Sequence, residues 1–356
     1  SGLAAGMVSA YSVRTVRRRY DFYRPALYGA LVYVAAIALI EALRYSSPQA
    51  ILAACGYGVV NAIAGSILAV GLLPVFESLF GFTTDLTLLE LSNFNHPLLR
   101  RLSLEAPGTY HHSIVIGNLA EAAAESIGAN SLLARVGSYY HDIGKMEKPE
   151  YFAENLPHFK NKHENLTPTM SALILESHVK GGKDLALEFD LPDAVIDFIE
   201  QHHGTTTMSF FYHKARMQNP DDPVTEQEFR YPGPRPQTRE TAIVMLADTV
   251  EAVSRTLEDP RPGRLQAAIK KVITDKFLAG QLDECNLTLK DLNRIEESFL
   301  KILLGVFHTR VSYPGGDPAG GASGEADETA SAAEDKNDSQ PTSVVKSRKA
   351  NGPRVR

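Results

Sequence analysis

Seven side chains of the types that bind divalent metals stand out in this chain: His112, His141, Asp142, His178, His202, His203 and Asp248. Imidazole nitrogens and carboxylate oxygens are the ligands of borderline cations such as iron, manganese and zinc. Several arrive as neighbours, in the pairs His111-His112, His141-Asp142 and His202-His203. Adjacent residues on a helix point about 100° apart, so a doublet can flank a pair of ions from one side. Taken singly, each histidine is explained as well by a hydrogen-bonded place in a core. The case for a metal site therefore rests on whether the elements carrying these residues bring them together.

The elements are helices. From residue 96 to 312 the pattern is helical almost throughout, and no alternating strand pattern of useful length occurs. A periodic run over residues 109–127 stops at Gly128, and Asn130 or Ser131 caps the next, which is predicted to reach Lys145. A further helix over residues 168–179 is predicted to end at Gly181-Gly182. Residues 192–203 begin with proline and are followed by Gly204, and runs over 241–257, 265–278 and 289–306 complete the series. The fold expected is all-α.

Phase along these helices turns the candidates inward. His112 shares a stripe with Ile116, Leu119 and Ala123, whereas His111 aligns with Val115, Asn118 and Ala122, so His112 is the better inward candidate. His141 lies below Leu133 and Gly137, and His202 and His203 extend the stripe of Val195, Phe198 and Ile199. Asp248 interrupts an apolar run between Val244, Met245 and Ala252, where a carboxylate is costly unless paired or bound to metal. Five helices each direct a His or Asp inward. His96, His158, His163, His213 and His308 have no such setting and are given no role.

The N-terminal part is of another kind. Residues 26–43 carry one charge, Glu41, and residues 50–77 carry no ionisable group before Glu77. About 20 helical residues span a bilayer's hydrocarbon, and both segments are long enough. Residues 1–13 are apolar but short, and are read as part of a spanning helix, the chain being a fragment of a longer protein. A hairpin buried in a soluble domain is the alternative. The loop from Arg14 to Arg24 holds five arginines and the loop from Arg44 to Gln49 only one. The positive-inside rule then puts the arginine-rich loop, and everything after residue 81, in the cytoplasm. The expected organisation is a membrane region at 1–80, a cytoplasmic domain at 81–312 and a polar, disordered tail at 313–356.

The net charge of -6 carries no basic excess, so a DNA or RNA polymer is not an expected partner. Cys55 and Cys285 lie in unlike segments without metal-site spacing, and no disulfide is expected between them. Residues 205–240 form a long insert containing Tyr-Pro-Gly-Pro-Arg-Pro-Gln (231–237), either a pocket wall or a partner contact.

The order His, His-Asp, His, His-His, Asp resembles the HD-domain phosphohydrolases. Four segments sharpen the likeness: Ala-Pro-Gly-Thr-Tyr-His-His-Ser (106–113), Val-Gly-Ser-Tyr-Tyr-His-Asp-Ile-Gly-Lys (136–145), Tyr-Pro-Gly-Pro-Arg-Pro-Gln-Thr (231–238) and Met-Leu-Ala-Asp (245–248). With the membrane helices upstream, they resemble the seven-transmembrane HD phosphodiesterases of cyclic-di-AMP. The resemblance implies an all-α HD phosphohydrolase bundle behind the last transmembrane helices of a membrane domain. It implies two divalent ions, iron or manganese. His112, His141, Asp142 and Asp248 would hold one, and Asp142, His178, His202 and His203 the other, with Asp142 bridging.

The activity implied is two-metal hydrolysis of cyclic-di-AMP to the linear dinucleotide in second-messenger signalling. Asp142 and Lys145 would be catalytic, Lys145 offering a cation to phosphate or to the expelled oxygen. The expected location is the cell membrane, multi-pass, with a signal-sensing extracellular domain upstream and a homodimer admitted. Two other readings stand beside this one. One is an HD hydrolase of a different nucleotide, such as cyclic-di-GMP or a nucleoside polyphosphate. The Gly-Tyr-Pro motif of the cyclic-di-GMP enzymes is missing after His202-His203, where the chain reads Gly204-Thr-Thr-Thr-Met208. The other is a membrane receptor that binds the nucleotide without cleaving it.

Overall fold

The computed structural model describes residues 2–13, 23–156, 162–218 and 224–308. The arginine-rich connection apart from Arg24, and the tail expected to be disordered, lie outside the described residues, as does His158. The fold is all-α. Among the described residues there is no strand, only one antiparallel bridge between Thr207 and Arg230.

Three helices come first: α1 (Gly2–Val13), α2 (Tyr23–Leu43) and α3 (Pro48–Phe80). α2 and α3 are long and apolar enough to cross a bilayer. Their apolar side chains point outward, with Leu31, Leu52, Ile67 and Leu79 all mostly exposed. Such a continuous apolar surface suits lipid or neighbouring membrane helices rather than water.

Ten helices follow. α4 (Asp85–Leu91), α5 (Pro97–Glu105), α6 (Pro107–Ile127) and α7 (Ser131–Tyr140) precede a series of short 3₁₀ turns between residues 143 and 165. α8 (Pro168–Glu188), α9 (Asp193–Gln201) and α10 (Ser209–Gln218) lead to α11 (Arg239–Arg255), α12 (Pro262–Leu278) and α13 (Leu289–His308). The starts are chemically marked. The Asn130 side chain accepts from the Leu133 amide, Thr167 from Met170, and Thr238 from Thr241.

Two apolar clusters hold the bundle. In one, Ile116 and Leu119 of α6 pack with Ile243 and Leu246 of α11 and Phe299 of α13. In the other, Val136 and Tyr140 of α7 pack with Leu98 and Leu102 of α5 and Val195 of α9. Each such buried side chain contributes about 1.5–3 kcal/mol, so both clusters fix helix positions firmly. α7 belongs to both, which ties the end of α7 to the rest of the bundle.

Four sequence expectations need correction. α7 does not run to Lys145: it ends at Tyr140, and His141-Asp142 form the bend into a 3₁₀ turn over Ile143–Glu147. α9 likewise ends at Gln201, so His202 is its C-cap and His203 lies beyond it. α8 passes straight through Gly181-Gly182, because these glycines mark close packing rather than a helix end. The insert is not a structureless loop either, since it contains α10 and a 3₁₀ turn at Glu226–Phe229.

Candidate metal centre

The bundle brings all seven side chains into one place. α6 carries His112, the bend after α7 carries His141 and Asp142, α8 carries His178, the end of α9 carries His202 and His203, and α11 carries Asp248. His112 is buried and His111 exposed, as the stripe requires. The potential ligand atoms form two groups: Asp142 with His178, His202 and His203, and His112 with His141 and Asp248. Within each group the atoms lie within 4.8 Å of one another.

Asp142 stands between the groups. Its side chain is only 1% exposed, and its two oxygens face opposite ways. Oδ1 is 3.4 Å from His178 Nε2 and 3.5 Å from His202 Nε2. Oδ2 is 3.2 Å from His141 Nε2 and 3.6 Å from His112 Nε2. A second link closes the cluster, Asp248 Oδ1 lying 3.1 Å from His112 Nε2 and Oδ2 4.0 Å from His203 Nδ1.

The backbone decides which ring nitrogens are free. His141 Nδ1 donates to Ser138 O at 2.7 Å, His202 Nδ1 to Ile199 O at 2.9 Å, and His178 Nδ1 to Leu175 O. A carbonyl oxygen can only accept, so each Nδ1 bears the proton and each Nε2 presents a lone pair. Those lone pairs converge: His178 Nε2 and His202 Nε2 are 3.4 Å apart. Two lone pairs at that distance repel unless a cation lies between them. His141 Nε2 and Asp142 Oδ1 are buried without a hydrogen-bond partner, a rare and costly condition. The donor set of imidazole and carboxylate thus fits divalent metal binding.

Electrostatics follow the same division. Burial alone would raise the Asp142 carboxyl, yet His141 and Lys145 hold it well below the usual carboxylate range. Asp248 also titrates below that range, its burial outweighed by hydrogen bonding and attraction to His112. Burial would depress His112, but its bonds to Asp248 and Glu251 lift it to about 10. Burial pushes His202 and His203 down and keeps them neutral, the form that binds metal. Lys145 Nζ lies 2.7 Å from Asp142 Oδ2 and 2.9 Å from Glu154 Oε1. Burial would depress this ammonium, and the two carboxylates raise it instead.

Comparison with known proteins agrees with this geometry. Residues 109–253 match the HD domain family, and residues 1–84 match the family described as 7TM receptor with intracellular HD hydrolase. The crystal structure of the Listeria monocytogenes phosphodiesterase PgpH HD domain in complex with cyclic-di-AMP superposes with a TM-score of 0.58. It is 46% identical, with all of that chain and 61% of this one covered. The chain belongs to the 7TM receptors with an HD hydrolase. Two curated relatives are both named cyclic-di-AMP phosphodiesterase PgpH. The Bacillus subtilis protein is 48% identical over 257 residues, 72% of this chain, and the Listeria protein 41% over 314 residues, 88% of it. The chain spans only 36% and 44% of their respective lengths. With the exposed apolar faces of α2 and α3, the family match makes this a membrane protein.

The HD pair thus works from a bend, not from a helix face. Gly144, two residues on, explains why. A Cβ there would sit 1.8 Å from His178 O and 2.4 Å from the Gly182 amide. Only glycines let the turn after the HD pair press onto the backbone of α8, which sets His178 beside Asp142.

Four residues near the centre were missed in the sequence. Glu251 Oε2 accepts from His112 Nδ1 at 2.9 Å, fixing that ring with Nε2 toward the cluster. Its signal was present, an acid one turn after Asp248 in a mostly apolar helix. Glu154 reaches Lys145 and also accepts from the Thr109 hydroxyl at 3.2 Å. Phe152 packs edge-on to His178 at 5.6 Å. Tyr231, from the insert, stacks on His203 with ring centres 4.1 Å apart. The two ends of the insert are joined there, Tyr231 N donating to Thr206 O at 3.1 Å.

Outer carboxylates that orient a ligating imidazole are each worth about 10–100-fold in metal affinity. Glu251→Ala is therefore expected to weaken binding of one metal equivalent by about that factor. Titration of stripped protein with manganese, followed by electron paramagnetic resonance, measures this. Unchanged affinity for every equivalent would show that His112 needs no such support.

Proposed function

We propose that this chain is a metal-dependent phosphodiesterase that hydrolyses cyclic-di-AMP to the linear dinucleotide in second-messenger signalling. The observation that carries this reading is the buried Asp142, whose two oxygens each face a separate group of ring nitrogens. Such an arrangement suits two ions, iron or manganese. His112, His141, Asp142 and Asp248 would hold one, and Asp142, His178, His202 and His203 the other. The naming of two curated relatives and the ligand in the Listeria structure support cyclic-di-AMP as substrate.

A bound ion pair supplies Lewis-acid polarisation of the phosphodiester and acidifies the attacking water. The protein's own part is positional. Backbone carbonyls beneath His141, His178 and His202 take up each Nδ1–H and aim Nε2 into the cluster. Glu251 holds the His112 ring in the same way, taking its Nδ1–H and turning Nε2 toward the cluster. Lys145 uses two of its three N–H groups on Asp142 and Glu154, leaving one for a phosphoryl or leaving oxygen. Loss of one such charged donor costs about 100–1,000-fold in kcat. Lys145→Met is expected to lower kcat in that range while metal content, measured by mass spectrometry, stays near the parent's. Parental kcat would remove Lys145 from the chemistry.

The domain reading follows from the same pieces. The membrane region covers residues 1–80 and is multi-pass, and the catalytic domain at 81–312 is cytoplasmic. A signal-sensing extracellular domain would precede this segment in the whole protein, and a homodimer is the admitted assembly. Conversion of cyclic-di-AMP by the purified chain in detergent, with manganese or iron, tests the reading. Cyclic-di-GMP and a guanosine polyphosphate are run beside it at equal metal loading. Preferred release of the linear adenylyl dinucleotide is the expected result. Binding without turnover would instead make the chain a receptor, and faster turnover of another nucleotide would reassign the substrate.

A further inference from the structure

A second cavity lies beside the metal cluster, its lining including Thr205 and Thr249, close in sequence to His203 and Asp248. This open cavity of about 560 Å³ is lined by α11, α12 and the residues just after it, residues 205–209, and Glu226 and Arg230. None of the seven candidate metal ligands lines it, and neither do Lys145, Glu154 and Tyr231. Its distinctive group is Lys276, on α12, which is only 9% exposed. The ammonium donates to the Thr206 hydroxyl at 2.9 Å. Among the described residues, no carboxylate comes within the 4.0 Å of an ion pair with it. The other cations of the lining are already neutralised, Lys271 by Asp275 at 2.5 Å and Arg230 by Glu226 at 2.7 Å. Lys276 is thus the charge left over.

A buried ammonium without a counter-charge is expensive, and well-packed apolar replacements are commonly more stable. Burial pushes Lys276 down to about 8, with only the more remote Asp248 opposing. Hydroxyl residues share the lining with it: Thr205, Thr206, Thr207, Ser209 and Thr249, of which Thr206 meets the ammonium. Val253, Ala268 and Val272 supply the apolar part of the lining. A compact cation in a cavity lined with hydroxyl residues matches the oxygens of a phosphate, and the apolar part of the lining matches an organic group attached to it. The volume lies in the range of about 300–1,000 Å³ usual for small-molecule sites, well beyond a bare anion.

We propose that this cavity binds a small organic phosphomonoester, with Lys276 as the charge partner of its phosphate, at a site distinct from the metal centre. The site does not depend on the phosphodiesterase reading. It would stand even if the metal cluster acted on another substrate.

Calorimetry on the full chain in detergent, with adenosine 5′-monophosphate and inorganic phosphate as probes, tests it. The parent and Asp142→Ala should share one binding event for the monophosphate. Lys276→Met should weaken that event at least tenfold, with a melting temperature no lower than the parent's. Inorganic phosphate should bind more weakly than the ester. Ala268→Trp, in the apolar part of the lining, should block the ester while sparing inorganic phosphate, and this carries the test if Lys276→Met does not fold. An affinity indifferent to both substitutions would overturn the proposal, as would binding abolished by Asp142→Ala. Inorganic phosphate binding as tightly as the ester would overturn the choice of an organic ligand.

Discussion

Asp142→Ala is expected to abolish turnover and to empty much of the metal centre. The side chain is buried, and its two oxygens lie within 3.6 Å of two ring nitrogens in each group, whereas Asp248 reaches only His112 closely and lies 4.0 Å from His203. The group of His178, His202 and His203 contains no second carboxylate, so its loss leaves three neutral rings to hold a doubly charged ion. The other group keeps Asp248. Metal content should therefore fall from near two equivalents to one or fewer, as measured by plasma mass spectrometry. Turnover should fall by at least about 1,000-fold, or some 4 kcal/mol of transition-state stabilisation. The bundle itself should persist, because the two apolar clusters do not involve this carboxylate and Lys145 retains Glu154. A well-folded Asp142→Ala chain that kept both metals and its rate would break the account.

Gly144→Ala is the second large effect expected, and it acts through packing. The added methyl would meet the carbonyl of His178 and the amide of Gly182, both backbone atoms that cannot swing aside. Overpacking of this sort costs about 1–3 kcal/mol where side chains can adjust, and more where the backbone must move. A loss of about 3 kcal/mol or more in unfolding free energy is expected, together with loss of metal as His178 is pushed from Asp142. Gly181→Ala is the control one residue from Gly182. Its methyl would meet only the carboxylate end of Glu147, which can turn away. Denaturant unfolding of the two variants should separate them by about 2 kcal/mol or more, and equal stability would refute the tight turn onto α8.

Much of this was legible in the sequence because helical periodicity is a strong local signal. Ile116, Leu119 and Ala123 placed His112 inward without any tertiary information, and the structure buries it while exposing His111. The seven candidates converge as the stripes suggested. The details that failed are those set by distant contacts. His141-Asp142 and His202-His203 continue the apolar pattern of α7 and α9, so nothing local showed that both helices stop just before them. Gly181-Gly182 looked like a helix terminator and proved to be a docking surface for Gly144, more than thirty residues earlier. Glu251 and Lys276 are charges that sequence reasoning assigns to solvent, and only the packing of α6 on α11, and of α12 against residues 205–207, buries them. Tyr231 reaches His203 through an insert whose path no periodicity describes.

The central claim is that two divalent ions share the carboxylate of Asp142. Anomalous scattering at the manganese or iron edge, from crystals of the metal-loaded chain, tests it most directly. The account predicts two peaks, one among His112, His141 and Asp248 and one among His178, His202 and His203, with an Asp142 oxygen bound to each. A single peak, or two peaks without Asp142 between them, would contradict it.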